Sequence, residues 1–189
     1  MDTSLSSEEK SYLLRLARQA VLAAAEHKPA PQLDPREITP LLAAPGASFV
    51  TLTRRGSLRG CIGALQAYQP LAEDVREHAA AAAVDDPRFP PVRSVEVPEL
   101  HIEISRLTDP QPLAYQNPDD LPTLIRPMVD GVILRDGSRR ATFLPQVWKQ
   151  IPQAEDFLAQ LCRKMGAPGE LWRRQRLDAA IYQVEEFEE

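Results

Sequence analysis

The chain has 189 residues, 43% hydrophobic and 26% charged, enough for one core or for two small subdomains sharing one. A net charge of −5 argues against non-specific nucleic-acid binding, which rests on a basic surface. No apolar run approaches the ~18 residues of a membrane span, and the start "MDTSLSSEEK" lacks the basic head and apolar centre of a signal peptide, so a cytoplasmic protein is expected.

The segment 5–28, "LSSEEKSYLLRLARQAVLAAAEHK", predicts a long amphipathic helix. Ser6 and Glu9 have capping-box spacing, and Leu13, Leu16, Ala17, Ala20, Val21 and Ala24 form one apolar stripe. A proline-punctuated connection follows; the chain holds 18 prolines, about twice the usual share, mostly between elements. Residues 47–65 predict a β-hairpin, with Phe49–Thr53 and Leu58–Leu65 as its strands and "RRGS" as its turn. Residues 69–86 predict a helix with Pro70 in its first turn and Glu73 and Asp74 at its positive end. "ELHIEISRL" alternates as a half-buried strand with Leu100, Ile102 and Ile104 inward. After a loop or edge segment, residues 131–144 predict a second hairpin with Asp136-Gly137 at its tip. Residues 153–166 predict a helix burying Phe157, Leu158, Leu161, Cys162 and Met165, with Gly166 as its cap. "RLDAAIYQVEEFEE" predicts one closing strand. Hairpins separated by helices, without a βαβ rhythm, indicate an α+β fold with a largely antiparallel sheet.

The stretch "SLRGCIGAL" invites a functional reading, because glycine weakens a strand. Plain alternation puts Leu58, Gly60 and Ile62 on one face and Arg59, Cys61 and Gly63 on the other. Arg59 would then project beside Cys61, favouring its thiolate, and Gly63 would leave a notch beside the sulfur. Gly60 would admit another element to the opposite face. The alternative is that Cys61 is a small packed hydrophobe and the glycines mark a bulge or a crossing helix.

Other candidates have similar pairs of readings. In "DDPRFPPV", Asp86 and Arg88 either organise a turn or face the notch. His78 lies on the apolar side of its helix, where a packed imidazole is favoured over a general base. His101 and Glu103 share a strand face, but with no second histidine nearby a metal site is not expected; Glu103 could instead pair with an arginine. Arg54, Arg55 and Arg59 in the first hairpin and Arg135, Arg139 and Arg140 in the second either form a cationic pocket for a phosphate or carboxylate or keep the tips solvated. In "TFLPQV", Thr142 and Gln146 either orient a ligand or cap a break between elements. Cys61 and Cys162 form no CxxC pair, and no GxGxxG, P-loop, HExxH or serine–histidine–acid pattern occurs, so no cofactor is expected.

In order, "GSLRGCIGAL", "PLAEDV", "DDPRFPPV", "ELHIEIS" and "TFLPQVW…FLAQLCRKMG" resemble the AMMECR family over nearly the whole chain. The resemblance implies a single domain over residues 1–189, built from two packed subdomains with a cleft near residues 58–63. It also implies association with a Memo-like protein of the extradiol-dioxygenase fold and a radical SAM protein, partners in a shared modification pathway. On that basis the cleft is expected to bind a small anionic ligand or a modified side chain. Arg59 and Cys61 would be the catalytic candidates, with Gly60, Gly63, Asp86, Arg88, Glu103, Arg140, Thr142 and Gln146 as ligand-binding candidates. The rival expectation is a non-catalytic binding or scaffold module for the same partners.

Overall fold

The Ser6 hydroxyl accepts the Glu9 N–H while the Glu9 carboxylate accepts the Ser6 N–H, so the first helix, α1 (Ser7–Ala25), begins with the expected reciprocal cap. The computed structural model describes residues 4–189; the first three residues of the polar start lie outside it. The chain divides into two compact units, one running to Leu107 and resuming at Glu185–Glu189, the other spanning Thr108–Val184.

In the first unit, α1 is followed by a single helical turn, α2 (Pro40–Ala43), within the proline-rich connection. Strands β1 (Pro45–Arg54) and β2 (Ser57–Gly63) form the first hairpin. Its tip is the two-residue turn Arg55-Gly56, both at positive φ, a geometry that matches the twist of a hairpin. The short β3 (Gln69–Pro70) leads into α3 (Leu71–Val84), and β4 (Leu100–Leu107) pairs antiparallel with β1. The sheet order is β2-β1-β4-β9, where β9 is Val184–Glu188, and β3 pairs with β1 beside this path. The apolar stripe of α1 and the alanine-rich side of α3 bury one face of this sheet, meeting Val50, Leu52, Ile102 and Ile104. His78 is packed on α3, its Nδ1 3.1 Å from the buried Asp74 carboxylate, which also accepts the Ser48 hydroxyl at 2.6 Å.

The second unit contains β5 (Gln111–Pro112), α4 (Leu121–Leu124), β6 (Gly131–Asp136), β7 (Arg139–Phe143), α5 (Ala154–Lys164), α6 (Leu171–Arg174) and β8 (Asp178–Tyr182). Its sheet order is β5-β8-β6-β7. Phe157, Leu158, Leu161 and Cys162 of α5 pack with Val132, Leu134, Ala141 and Ala179 of the sheet. Trp148 stacks on Phe157 with ring centroids 3.7 Å apart, and its indole N–H reaches the Asp130 carbonyl.

The α+β class and the antiparallel pairing agree with the sequence reading. The closing segment differs: it forms two strands rather than one. β8 belongs to the second unit's sheet and β9 to the first unit's, with Gln183 between them. There the Gln183 N–H donates to the Thr108 hydroxyl and the Thr108 N–H to the Gln183 carbonyl. No helix among the described residues is long and apolar enough to cross a membrane.

Candidate functional site

The two glycines of β2 are explained by what lies against them. A Cβ on Gly60 would fall 2.0 Å from the Ala82 carbonyl oxygen, so the backbone of α3 rests directly on the strand there. A Cβ on Gly63 would fall 2.4 Å from both Phe49 Cγ and the Ser48 carbonyl oxygen. The expected side-chain-free notch is therefore occupied by the Phe49 ring, and Gly63 lines no open hollow. Both glycines serve close packing, the aromatic ring covering a strand glycine from its neighbour.

Simple alternation also fails at Arg59. Thr53 pairs with Leu58 but Leu52 pairs with Gly60, so Arg59 is the extra residue of a β-bulge. The bulge moves Leu58 to the face of Thr53, where it is exposed, and takes Arg59 out of register with Cys61. The Arg59 guanidinium turns instead to the Pro90 carbonyl at 2.8 Å, the Pro91 carbonyl and the buried Glu96 carboxylate at 3.3 Å. Arg54 joins Glu96 at 3.1 Å and Glu99 at 2.9 Å, and Arg55 reaches Glu99. The three arginines of the first hairpin thus each pair with Glu96 or Glu99. The Arg93 N–H and the Arg59 guanidinium hold the Glu96 carboxyl down at about 2. Beside them lies a hollow of about 340 Å³ lined by Arg59, Phe89, Pro90, Pro91, Arg93 and Glu96.

The guanidinium beside Cys61 comes from Arg88. Asp86, 4% exposed, accepts the Cys61 N–H at 2.8 Å and grips Arg88 through Nε at 2.9 Å and Nη2 at 2.7 Å. Arg88 Nη2 also donates to the Cys61 carbonyl at 3.3 Å. The hydrogen bonds to Asp86, and then the Asp86 charge and Cys61, raise the Arg88 pKa above its ordinary value. The Arg88 hydrogen bond does most to hold the Asp86 carboxyl well below the usual carboxylate range. So fixed, Arg88 still leaves 55% of its side chain exposed.

Cys61 itself is half-buried, and the Thr51 hydroxyl donates to its sulfur at 3.4 Å. Thr51 pairs across β1 with Cys61 on one side and Glu103 on the other, so Cys61, Thr51 and Glu103 form a cross-strand row on the face away from α3. Cys162 is the contrast: fully buried in the second unit's core, its thiol is pushed up by desolvation.

Cys61, Asp86, Arg88 and Glu103 are thus gathered in one unit, with Thr51 added. Thr51 carries no signal of its own and emerges only from strand register. Arg140, Thr142 and Gln146 belong to the other unit. There the Thr142 hydroxyl lies 3.0 Å from Tyr182 Oη, and Gln146 sits half-buried in the 3-10 turn Pro145–Lys149. Among the described residues, no group of three or more His, Cys, Asp and Glu side chains is arranged to hold a metal ion.

The chain is thus a two-unit α+β protein that carries Cys61 in the second strand of its first hairpin, latched by an Asp-Pro-Arg turn. The AMMECR1 family pattern matches residues 14–187, and the chain belongs to that family. A protein of Methanothermobacter thermautotrophicus is 37% identical over 186 residues, covering 98% of this chain and 96% of that one. Protein TK0174 of Thermococcus kodakarensis is 38% identical over 98% of this chain and 92% of its own. The crystal structure of the uncharacterized protein PH0010 from Pyrococcus horikoshii superposes with a TM-score of 0.85 at 34% identity, covering 98% of this chain and 93% of that one.

Proposed function

We propose that the Cys61–Arg88 centre binds a small anionic ligand, or a side chain bearing an anionic group, and that Cys61 is the nucleophile toward an electrophilic carbon on it: the sulfur–carbon bond forms as that carbon's bond to its leaving group breaks, the leaving group departs with the electron pair, and the thiol proton passes to solvent. The observation carrying this reading is the placement of Arg88. Asp86 fixes its guanidinium against the Cys61 backbone while more than half of the side chain stays open to solvent. An exposed, pre-oriented guanidinium recognises carboxylate and phosphate groups. The Thr51 hydroxyl adds a hydrogen bond to the sulfur. In this reading Arg88 takes the anchoring role that simple strand alternation assigns to Arg59. We further propose that the protein acts in the cytoplasm, with a Memo-like protein and a radical SAM protein as its partners in a modification pathway.

The test is competitive alkylation of the native protein with iodoacetate and iodoacetamide, read at each cysteine by mass spectrometry. Arg88 should draw the anionic reagent, so that Arg88→Gln lowers the iodoacetate-to-iodoacetamide rate ratio at Cys61 by about tenfold, the effect of about 1.4 kcal/mol of charge attraction. Buried Cys162 is the internal reference. A Cys61 that reacts as slowly as Cys162, or a ratio indifferent to Arg88→Gln, overturns the proposal. The non-catalytic binding or scaffold module is then the reading that stands.

A further inference from the structure

The second unit carries arginines without the neutralising acids seen around Arg59. β6 and β7 pair with Arg135 opposite Arg140, so both side chains leave the same face of the sheet. Like charges directly opposite one another destabilise a sheet. The neighbouring Arg139 is neutralised by Asp136, but among the described residues neither Arg135 nor Arg140 forms an ion pair. Arg140 is half-buried, and burial together with the Arg135 charge pushes its pKa down. Asp178 stands opposite Arg135 on the other flank of β6 without pairing to it, and Arg176 adds a third cation two residues earlier.

The same sheet face holds a hollow. Pro112, Ala180 and Ile133 lie in one row across β5, β8 and β6, and the small central Ala180 leaves a trough between the larger two. With Leu113 as a further wall, this hollow has a volume of about 380 Å³, and Arg135, Arg176 and Asp178 line its charged end. Arg135 follows the buried Ile133 by two residues on the strand, about 7 Å along it, so the apolar part of the hollow runs to Arg135. A concave apolar trough of this size with a few convergent charges is the usual form of a small-molecule site.

We propose that this hollow binds a small amphipathic anion, with a carboxylate or phosphate monoester head held by Arg135 and Arg176, which line it, Arg140 adding charge beside Arg135, and a short alkyl or aryl body lying over Ala180 between Pro112 and Leu113. Among the described residues, Asp178 is the one acid at this end of the hollow, against Arg135, Arg176 and the neighbouring Arg140, so the anion adds countercharge where cations are in excess. The site shares no residue with the Cys61 centre and does not depend on it.

Calorimetric titration of the full chain with hexanoate, hexyl phosphate, hexanol and inorganic phosphate tests the inference. Hexanoate or hexyl phosphate should bind saturably, and the tighter of the two identifies the head group as carboxylate or phosphate. Arg135→Gln and Arg176→Gln should each weaken binding about tenfold, the loss of one charge-assisted contact. Ala180→Leu, which fills the trough, should abolish it. Circular dichroism and thermal melts confirm that each variant is folded. Failure of both amphipathic anions to saturate overturns the proposal, as does wild-type affinity in Arg135→Gln. Equal binding of hexanol removes the anion from it, and equal binding of inorganic phosphate removes the trough; either result also overturns it.

Discussion

Gly60→Ala tests whether α3 is seated on β2 as described. The added Cβ would meet the Ala82 carbonyl oxygen at 2.0 Å and its carbon at 3.1 Å. That oxygen belongs to a helix backbone and cannot swing aside, so α3 must retreat by more than about 1 Å to restore ordinary contact. α3 contributes Leu71, Ala72, Val75, Ala79, Ala82 and Ala83 to the core, all at or below 2% exposure, so the retreat loosens all of them together. A gap of up to about 1 Å forfeits a quarter to a half of each dispersion contact. Overpacking typically costs about 1–3 kcal/mol, and an immovable backbone obstacle puts this case at about 3 kcal/mol. At about 2–4 °C per kcal/mol for a chain of this size, Tm falls by about 6–12 °C. Thermal melts followed by circular dichroism read the shift. Gly56→Ala is the control: it has open space around it and φ +77°, so only the left-handed backbone penalty of about 1–2 kcal/mol applies. A Gly60→Ala melt that falls no further than that of Gly56→Ala would refute the close approach.

Two further outcomes are expected. Glu96 has its carboxyl depressed from 4.5 to about 2, so its stabilising contribution is complete above about pH 4.5 and is lost as pH falls toward about 2. Urea midpoints measured through that window should drop more steeply in the wild type than in Glu96→Gln, and parallel pH profiles would disprove the assignment. Phe157→Ala removes a fully buried ring stacked on Trp148 and should cost about 3–5 kcal/mol, with loss of near-ultraviolet dichroism from that pair. A loss below about 1 kcal/mol in denaturant titration would show that the stack is not a core contact.

Local chemistry was legible where it involved neighbours in sequence. The Ser6–Glu9 cap and the buried side of α5 each follow from spacings of a few residues, whereas the second hairpin's tip falls one residue later than expected, at Gly137-Ser138, because Asp136 pairs with Arg139. Pairing across strands was harder to read. From the Arg55-Gly56 turn, an unbroken hairpin puts Thr51 opposite Gly60; the inserted Arg59 moves it opposite Cys61. The glycines of "SLRGCIGAL" allow for a bulge but do not say that Arg59 is its extra residue, because that is decided by what its side chain can reach, here Glu96 and two proline carbonyls. The glycines signalled close approach correctly in kind, but a sequence does not say whether a ligand, a helix or a phenyl ring does the approaching. The closing residues read as one strand because the pattern across Gln183 stays strand-like. Only the pairing partners divide it between two sheets.

That division constrains the order of assembly on the ribosome. The second unit is one continuous stretch whose two ends, at Thr108 and Gln183, are tied to each other by hydrogen bonds, so all of its strands and helices emerge before the last five residues do. The first sheet gains its β9 edge only with those residues: Glu185 accepts the Leu5 N–H and pairs with Lys10, and the Glu189 N–H donates to the Ile102 carbonyl. During vectorial synthesis the inserted unit can therefore finish while the outer one is still missing its edge strand, and a nascent chain stalled before Glu185 would expose the open flank of β4.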